Sequence, residues 1–178
     1  MVDVDDASAP SGASMLAKLE EREGRNPLEE SPHLRTFFAC WLETFLLKGK
    51  VDPALRERAV LRVMWRCNQP FEWANHYRLA RDIGLSDDEI LAVRTSAPAR
   101  DLSGGPALVV RAADEVVDLG RLTLATYAEC GELFADPAVL LEFLYLVAGY
   151  RMFATVSASS GRRYDGPPWP PDGVGPSH

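Results

Sequence analysis

Cysteine is scarce in this chain, and what there is follows no pattern. Cys40, Cys67 and Cys130 are odd in number and far apart, and no CxxC occurs anywhere. That spacing excludes a disulfide framework and a paired-thiol zinc site, and leaves free thiols in a reducing, cytoplasmic setting as the plain reading. His33 and His178 lack ligand-like neighbours, so no metal is expected. Basic residues are the minority: 19 Lys and Arg face 26 Asp and Glu, for a net charge of −7. With no Lys/Arg stripe to offset the acid, no nucleic-acid partner is expected. The longest apolar runs are broken by charge well short of the roughly 18 residues that span a membrane. The start, MVDVDDASAPSGAS, lacks the basic end and apolar run of a signal peptide, so neither membrane nor export is expected. A glycine-rich phosphate loop, a GxSxG elbow and HExxH are all missing. No run alternates apolar with polar residues, so no strand is predicted and the fold class is all-α.

Helical signals fill the space. At 178 residues, with 47% apolar and 25% charged side chains, the chain suits one domain with a real core. Residues 1–14 are acidic and polar and read as a disordered segment, with the domain over 15–160 and a Pro-rich tail over 161–178. A short helix is expected from Ser14 towards Gly24. A second follows Ser31-Pro32, with Leu34, Phe37, Phe38, Trp41, Leu42, Phe45 and Leu46 at helical spacing and Gly49 as its stop. Asp52-Pro53 and Asp136-Pro137 each read as an N-cap plus first-turn proline, and Pro70 opens a helix that ends by Gly84. Ser86-Asp87-Asp88-Glu89 is a capping box for a short helix to Arg94. Thr95–Gly105 reads as a loop, and helices are expected over Pro106–Leu119, Thr123–Cys130 and from Asp136-Pro137 to Ser159.

Three proton-handling side chains stand out in this framework. Glu72 and His76, four apart, share one helix face, and Glu57 lies on the preceding helix before a break at Cys67-Asn68-Gln69-Pro70. A folded-back hairpin would gather all three, and a Glu/His set is an ordinary device for proton transfer. Glu57 would orient His76, or act itself if burial raised its pKa, with Glu72 tuning His76. The plainer alternative is a solvated Glu72/His76 pair and a surface ion pair of Glu57 with Arg56 or Arg58. Trp65, Phe71, Trp73 and Tyr77 are candidates to line a substrate pocket, and Arg62 to hold a substrate carboxylate; core packing and an acidic partner are the competing readings. Tyr127 and Tyr150 have nothing local to select them.

The phrases RERAVLRVMWRCNQPFEWANHYRLARDIGLSDDEI, ALVVRAADEVVDLGRLT and LLEFLYLVAGYRMFATV carry a resemblance over roughly residues 30–160. The chain resembles the carboxymuconolactone decarboxylase family, which includes alkylhydroperoxidase D-like proteins. The resemblance implies an all-helical, alkylhydroperoxidase D-like bundle. It also implies a homo-oligomer, trimeric or a multiple of trimers with a dimer as the alternative, with active sites near subunit contacts. In the peroxidase branch a Glu precedes CxxC, and a His follows the second Cys by four residues. Glu57 and His76 fall at the family's Glu and His, whereas Gln69 and Glu72 stand where its two cysteines would be. A peroxidatic cycle needs a reactive thiolate and a resolving thiol, so disulfide chemistry is not expected. The resemblance then implies a lyase of the decarboxylase type, or an isomerase, needing no cofactor. Its partner would be a small carbonyl- or carboxylate-containing substrate. Two other classes stay open: a non-catalytic oligomeric binding protein that kept the fold, and a thiol enzyme using Cys67 or Cys130.

Overall fold

The computed structural model describes residues 11–23, 31–95, 102–160 and 174–176, and all regular structure among them is helical. Contacts divide the chain into two compact units, Met1–Lys50 and Val51–His178, a division that falls inside the 15–160 stretch read as one domain.

The first unit holds α1 (Gly12–Glu23) and α2 (Pro32–Leu42). Helix α1 begins at Gly12, so residues 12–14 are ordered where disorder was expected; residues 1–10 lie outside the described set. The reason is a close approach: a Cβ on Gly12 would run into the Ala39 carbonyl, and the Gly12 N–H donates to Glu43 Oε2 at 3.3 Å. Ser31 occupies the N-cap of α2 without a side-chain capping bond, and Pro32 takes the first turn. The helix expected to run regularly towards Gly49 widens into a π-helical turn at Glu43–Leu47, closed by Lys48 N–H donating to the Glu43 carbonyl at 2.9 Å. The turn leaves Phe45 buried against Trp41, with ring centroids 4.2 Å apart.

The second unit contains α3 (Pro53–Arg66), α4 (Pro70–Asp82) and α5 (Asp87–Leu91), which tightens into a 3-10 turn at Ala92–Arg94. It continues with α6 (Gly104–Leu119), α7 (Leu124–Phe134) and α8 (Pro137–Ser159). Most starts follow local chemistry. Asp52 Oδ1 accepts from Leu55 N–H at 3.0 Å, Asp136 Oδ1 from Ala138 N–H at 2.8 Å, and both halves of the Ser86/Glu89 capping box are formed. Gly84 follows α4 at φ +96°, a conformation open to glycine and costly for a residue with a Cβ. Helix α6 starts at Gly104, two residues before the expected Pro106, and α7 runs on past Cys130 to Phe134.

Helix α3 is the axis of this unit, packed by α4, α6 and α8. Every residue from Arg56 to Met64 is buried, so its charged side chains have no water to turn to and must find partners inside. Helix α8 alone among the described helices is long and apolar enough to cross a membrane by length and composition. It carries Glu142 and Arg151 within its span, and buries Leu140, Phe143, Leu146, Val147, Tyr150 and Ala154 while packing on α3, α6 and α7. It is a core helix of this unit.

Candidate active site

The hairpin of α3 and α4 sets the geometry. At its turn Asn68 adopts φ +54°, a left-handed conformation that Asn tolerates better than most residues. The Gln69 N–H reaches back to the Met64 carbonyl at 2.9 Å, and its side-chain amide donates to the Cys67 and Asn68 carbonyls at 3.2 Å. Pro70 then starts α4 in the reverse direction along α3.

This fold-back brings Glu57 and His76 together. Glu57 Oε2 lies 2.7 Å from His76 Nδ1, and Arg56 Nε donates to Glu57 Oε1 at 2.8 Å. Glu57 is fully buried and His76 is 3% exposed, which removes the surface-pair reading of both. Burial by itself would raise the Glu57 carboxyl. The charges of and hydrogen bonds from His76 and Arg56 outweigh it and hold the group below its ordinary value. An ionised carboxylate only accepts, so Nδ1 carries the proton, and in the neutral imidazole Nε2 is the basic nitrogen. Nε2 makes no hydrogen bond among the described residues.

Glu72 is not part of that bond. It is half-buried on the first turn of α4, and no hydrogen bond joins it to His76. Its charge is felt by Tyr150, a residue with no local signal in the sequence. Tyr150 is 4% exposed and meets the His76 ring edge-on, centroids 4.8 Å apart and planes at 87°. Burial first, then the carboxylates of Glu57 and Glu72, push its phenol well above the ordinary value, with Arg56 opposing. A contact between α8 and α4 cannot be read from spacing along either helix.

Other expected pocket residues are committed elsewhere. Arg62 is 1% exposed and grips Asp114 through two bonds of 2.6 and 3.0 Å, while its Nη1 donates to the Val93 and Arg94 carbonyls. A guanidinium so engaged locks α3 to α6 and to the 3-10 turn, which corrects its reading as a substrate anchor. Tyr77 is fully buried and its hydroxyl donates to Asp87 at 2.6 Å, so it ties α4 to α5 and does not face a ligand. Trp73 is also fully buried, and its Nε1–H has no partner among the described residues. Trp65 and Phe71 are half-buried; Trp65 packs on Trp73 at 5.5 Å and under the Arg94 guanidinium at 5.8 Å.

A model of the carboxymuconolactone decarboxylase family matches residues 32–116, α2 through most of α6. No curated protein and no solved structure shows significant similarity to the chain. The carboxymuconolactone decarboxylase match takes in Glu57, Glu72 and His76, and it ends before α7 and α8, so Tyr150 lies beyond it.

Thiol chemistry has little support in this framework. Burial raises the half-buried Cys67 thiol against the opposing charges of Arg151 and Arg66. Cys130 is buried and pushed up to about 11 by its burial. Cys40 is exposed on α2, in the other unit. A reactive cysteine needs the opposite setting, a lowered pKa with access. Among the described residues no group of three or more His, Cys, Asp or Glu side chains is arranged to hold a metal.

Proposed function

We propose that the protein is a cofactor-independent acid–base enzyme of the decarboxylase or isomerase type, acting on a small carbonyl compound that bears a carboxylate. One observation carries this reading: the buried Glu57–His76 pair at 2.7 Å, with Arg56 on the other carboxylate oxygen. Glu57 orients the ring, fixes the proton on Nδ1 and stabilises the imidazolium that forms when Nε2 takes a proton. Arg56 keeps Glu57 ionised through that cycle. In a decarboxylation the carbon–carbon bond breaks and CO2 leaves. Its electron pair enters the carbonyl system as an enolate, and imidazolium returns a proton to carbon. In an isomerisation His76 takes a proton from one carbon and returns it to another. Trp65 and Phe71, half-buried on the hairpin, are the aromatic residues available to the substrate. Glu72, half-buried near Tyr150, would disfavour a second anionic group at that place.

A homo-oligomer, the state the family resemblance implies, would cover the apolar residues Leu141, Tyr145, Met152 and Val156 that α8 leaves exposed. Light scattering on the purified chain tests that part; a monomer at tens of micromolar would reject it.

The catalytic test uses carboxymuconolactone together with a short panel of β-keto acids and β,γ-unsaturated ketones. CO2 release and deuterium incorporation from D2O are measured for the native protein and for His76→Gln. The variant should lose about 100-fold or more in rate at an unchanged circular-dichroism spectrum, the usual worth of a positioned proton-transfer group. Near-normal turnover by His76→Gln ends the proposal. Ligand binding with neither CO2 release nor deuterium uptake across the panel points to a binding protein.

A further inference from the structure

The Glu57 carboxylate is shared between two donors. One oxygen accepts from His76 Nδ1 at 2.7 Å and the other from Arg56 Nε at 2.8 Å, and all three side chains are more than nine-tenths buried. Consecutive residues on a helix point in different directions, so an Arg next to a Glu does not ordinarily face it. Burial of α3 from Arg56 to Met64 enforces the contact here, because neither charge has water to turn to.

The consequence falls on His76. With Glu57 alone beneath it, imidazolium would cancel a buried negative charge, and the neutral ring would leave that charge bare. Such a pair holds its proton tightly and makes a poor base. Arg56 already balances the carboxylate. A proton arriving at Nε2 then places a positive charge beside a guanidinium that repels it. We propose that Arg56 is a positioning residue of this site: by occupying the second oxygen of Glu57 it leaves His76 Nε2 able both to take and to return a proton near neutral pH. That role rests on the acid–base reading above, and it serves the decarboxylation and the isomerisation alike, since each needs the proton to leave Nε2 again.

The other charged and titratable groups near the hairpin do not supply this. From α4, Glu72 has the opposite sign, is half-buried, and makes no hydrogen bond to His76. From α8, Tyr150 meets the ring edge-on at 4.8 Å, and burial with the Glu57 and Glu72 carboxylates keeps its phenol protonated and uncharged. Arg151, the next residue, bonds Thr155 at 2.6 Å and acts on Cys67 at the hairpin turn. On α3, Arg58 is engaged with Glu89 of α5 at 2.9 Å and with the Ala54 carbonyl. Asp87 of α5 is held by Tyr77 and Arg81.

The test reads His76 directly, without a substrate. Proton NMR follows the imidazole ring protons against pH; the His76 signal is the one lost in His76→Gln, and His33, exposed on α2, is the control. In Arg56→Gln the His76 midpoint should rise by about one pH unit or more, the usual effect of one nearby charge, with His33 unmoved. Arg56→Lys keeps the charge and should restore most of the native midpoint. A smaller rise or a fall in Arg56→Gln overturns the inference. An equal rise in Arg56→Lys also overturns it, since packing and not charge would then be responsible. If Arg56→Gln does not fold, the comparison moves to Glu57→Gln: adding Arg56→Gln to that variant should again raise the midpoint, and an unchanged or lower value overturns the inference. On any substrate turned over by the native protein, the limb of the kcat/KM profile that reports His76 should move to higher pH with the NMR midpoint. If His76→Gln abolishes turnover while Arg56→Gln leaves the midpoint in place, the acid–base reading stands and this inference fails. A midpoint that moves as expected in a protein that turns over nothing supports the role of Arg56 and removes the acid–base reading.

Discussion

Glu57→Gln removes one charge from the buried Arg56–Glu57–His76 trio while conserving its volume. The native carboxylate accepts two charge-assisted hydrogen bonds, from His76 Nδ1 at 2.7 Å and Arg56 Nε at 2.8 Å. Bonds of this kind are each worth about 1.5–3 kcal/mol. Glutamine offers one acceptor and turns an NH2 towards the other donor, so Arg56, 8% exposed, loses the charge of Glu57. Stripping one partner from a buried ion pair costs about 3–5 kcal/mol; the acceptor that glutamine retains brings the expected loss to about 2–4 kcal/mol. In a chain this long each kcal/mol lowers Tm by roughly 2–4 °C, so a drop of roughly 4–16 °C is expected. The loss should depend on pH. The fold holds the Glu57 carboxyl below its ordinary 4.5. Its contribution is therefore complete above that value and drains away as pH falls through the folded-state pKa. Urea unfolding followed by circular dichroism should show the widest gap between native and variant near neutral pH, and a shrinking gap below about pH 4.5. A variant within about 0.5 kcal/mol of native at neutral pH would refute the reasoning, as would a gap unchanged on acidification.

Further outcomes follow from the same buried network and from the thiols. Asp114→Ala takes the opposite charge from Arg62, bonded to it at 2.6 and 3.0 Å, and from one arm of Arg66, bonded at 2.6 Å. It should cost about 3–5 kcal/mol in denaturant unfolding, whereas Arg81→Gln, in the exposed pair with Asp87, should leave the unfolding midpoint nearly unchanged. With its pKa near 11, Cys130 carries far less thiolate at neutral pH than a free thiol. Alkylation by iodoacetamide should run roughly 300-fold slower than that of a small thiol. A Cys130 that alkylates at the free-thiol rate would contradict its burial.

Local elements were legible because their causes are local. Asp52, Ser86 and Asp136 each accept an orphan N–H of a helix start from within three residues, Pro70 has no N–H to leave orphaned, and each starts a helix where expected. The widened turn after Leu42 was not legible, since a π-helical turn and an α-helix share the same apolar spacing there. Arg62 was misjudged for a comparable reason: its partner Asp114 comes from α6, and nothing beside it on α3 reveals that the guanidinium is already spent.

The sequence by itself determined the helices, their caps and the α3–α4 fold-back, because those depend on spacing and on bonds within a turn or two. It also determined that no CxxC pair is present. Tertiary structure decided which acid His76 meets. Glu72 lies one turn away on the same helix and makes no bond to it, whereas Glu57 crosses from α3 to do so. Burial, a property of how α4, α6 and α8 enclose α3, turned Glu57 from one of several acidic side chains into a carboxylate held below its ordinary pKa. Tyr150 entered by the same route: α8 must pack on the hairpin before its ring can touch His76, and helical period within α8 carries no information about that neighbour.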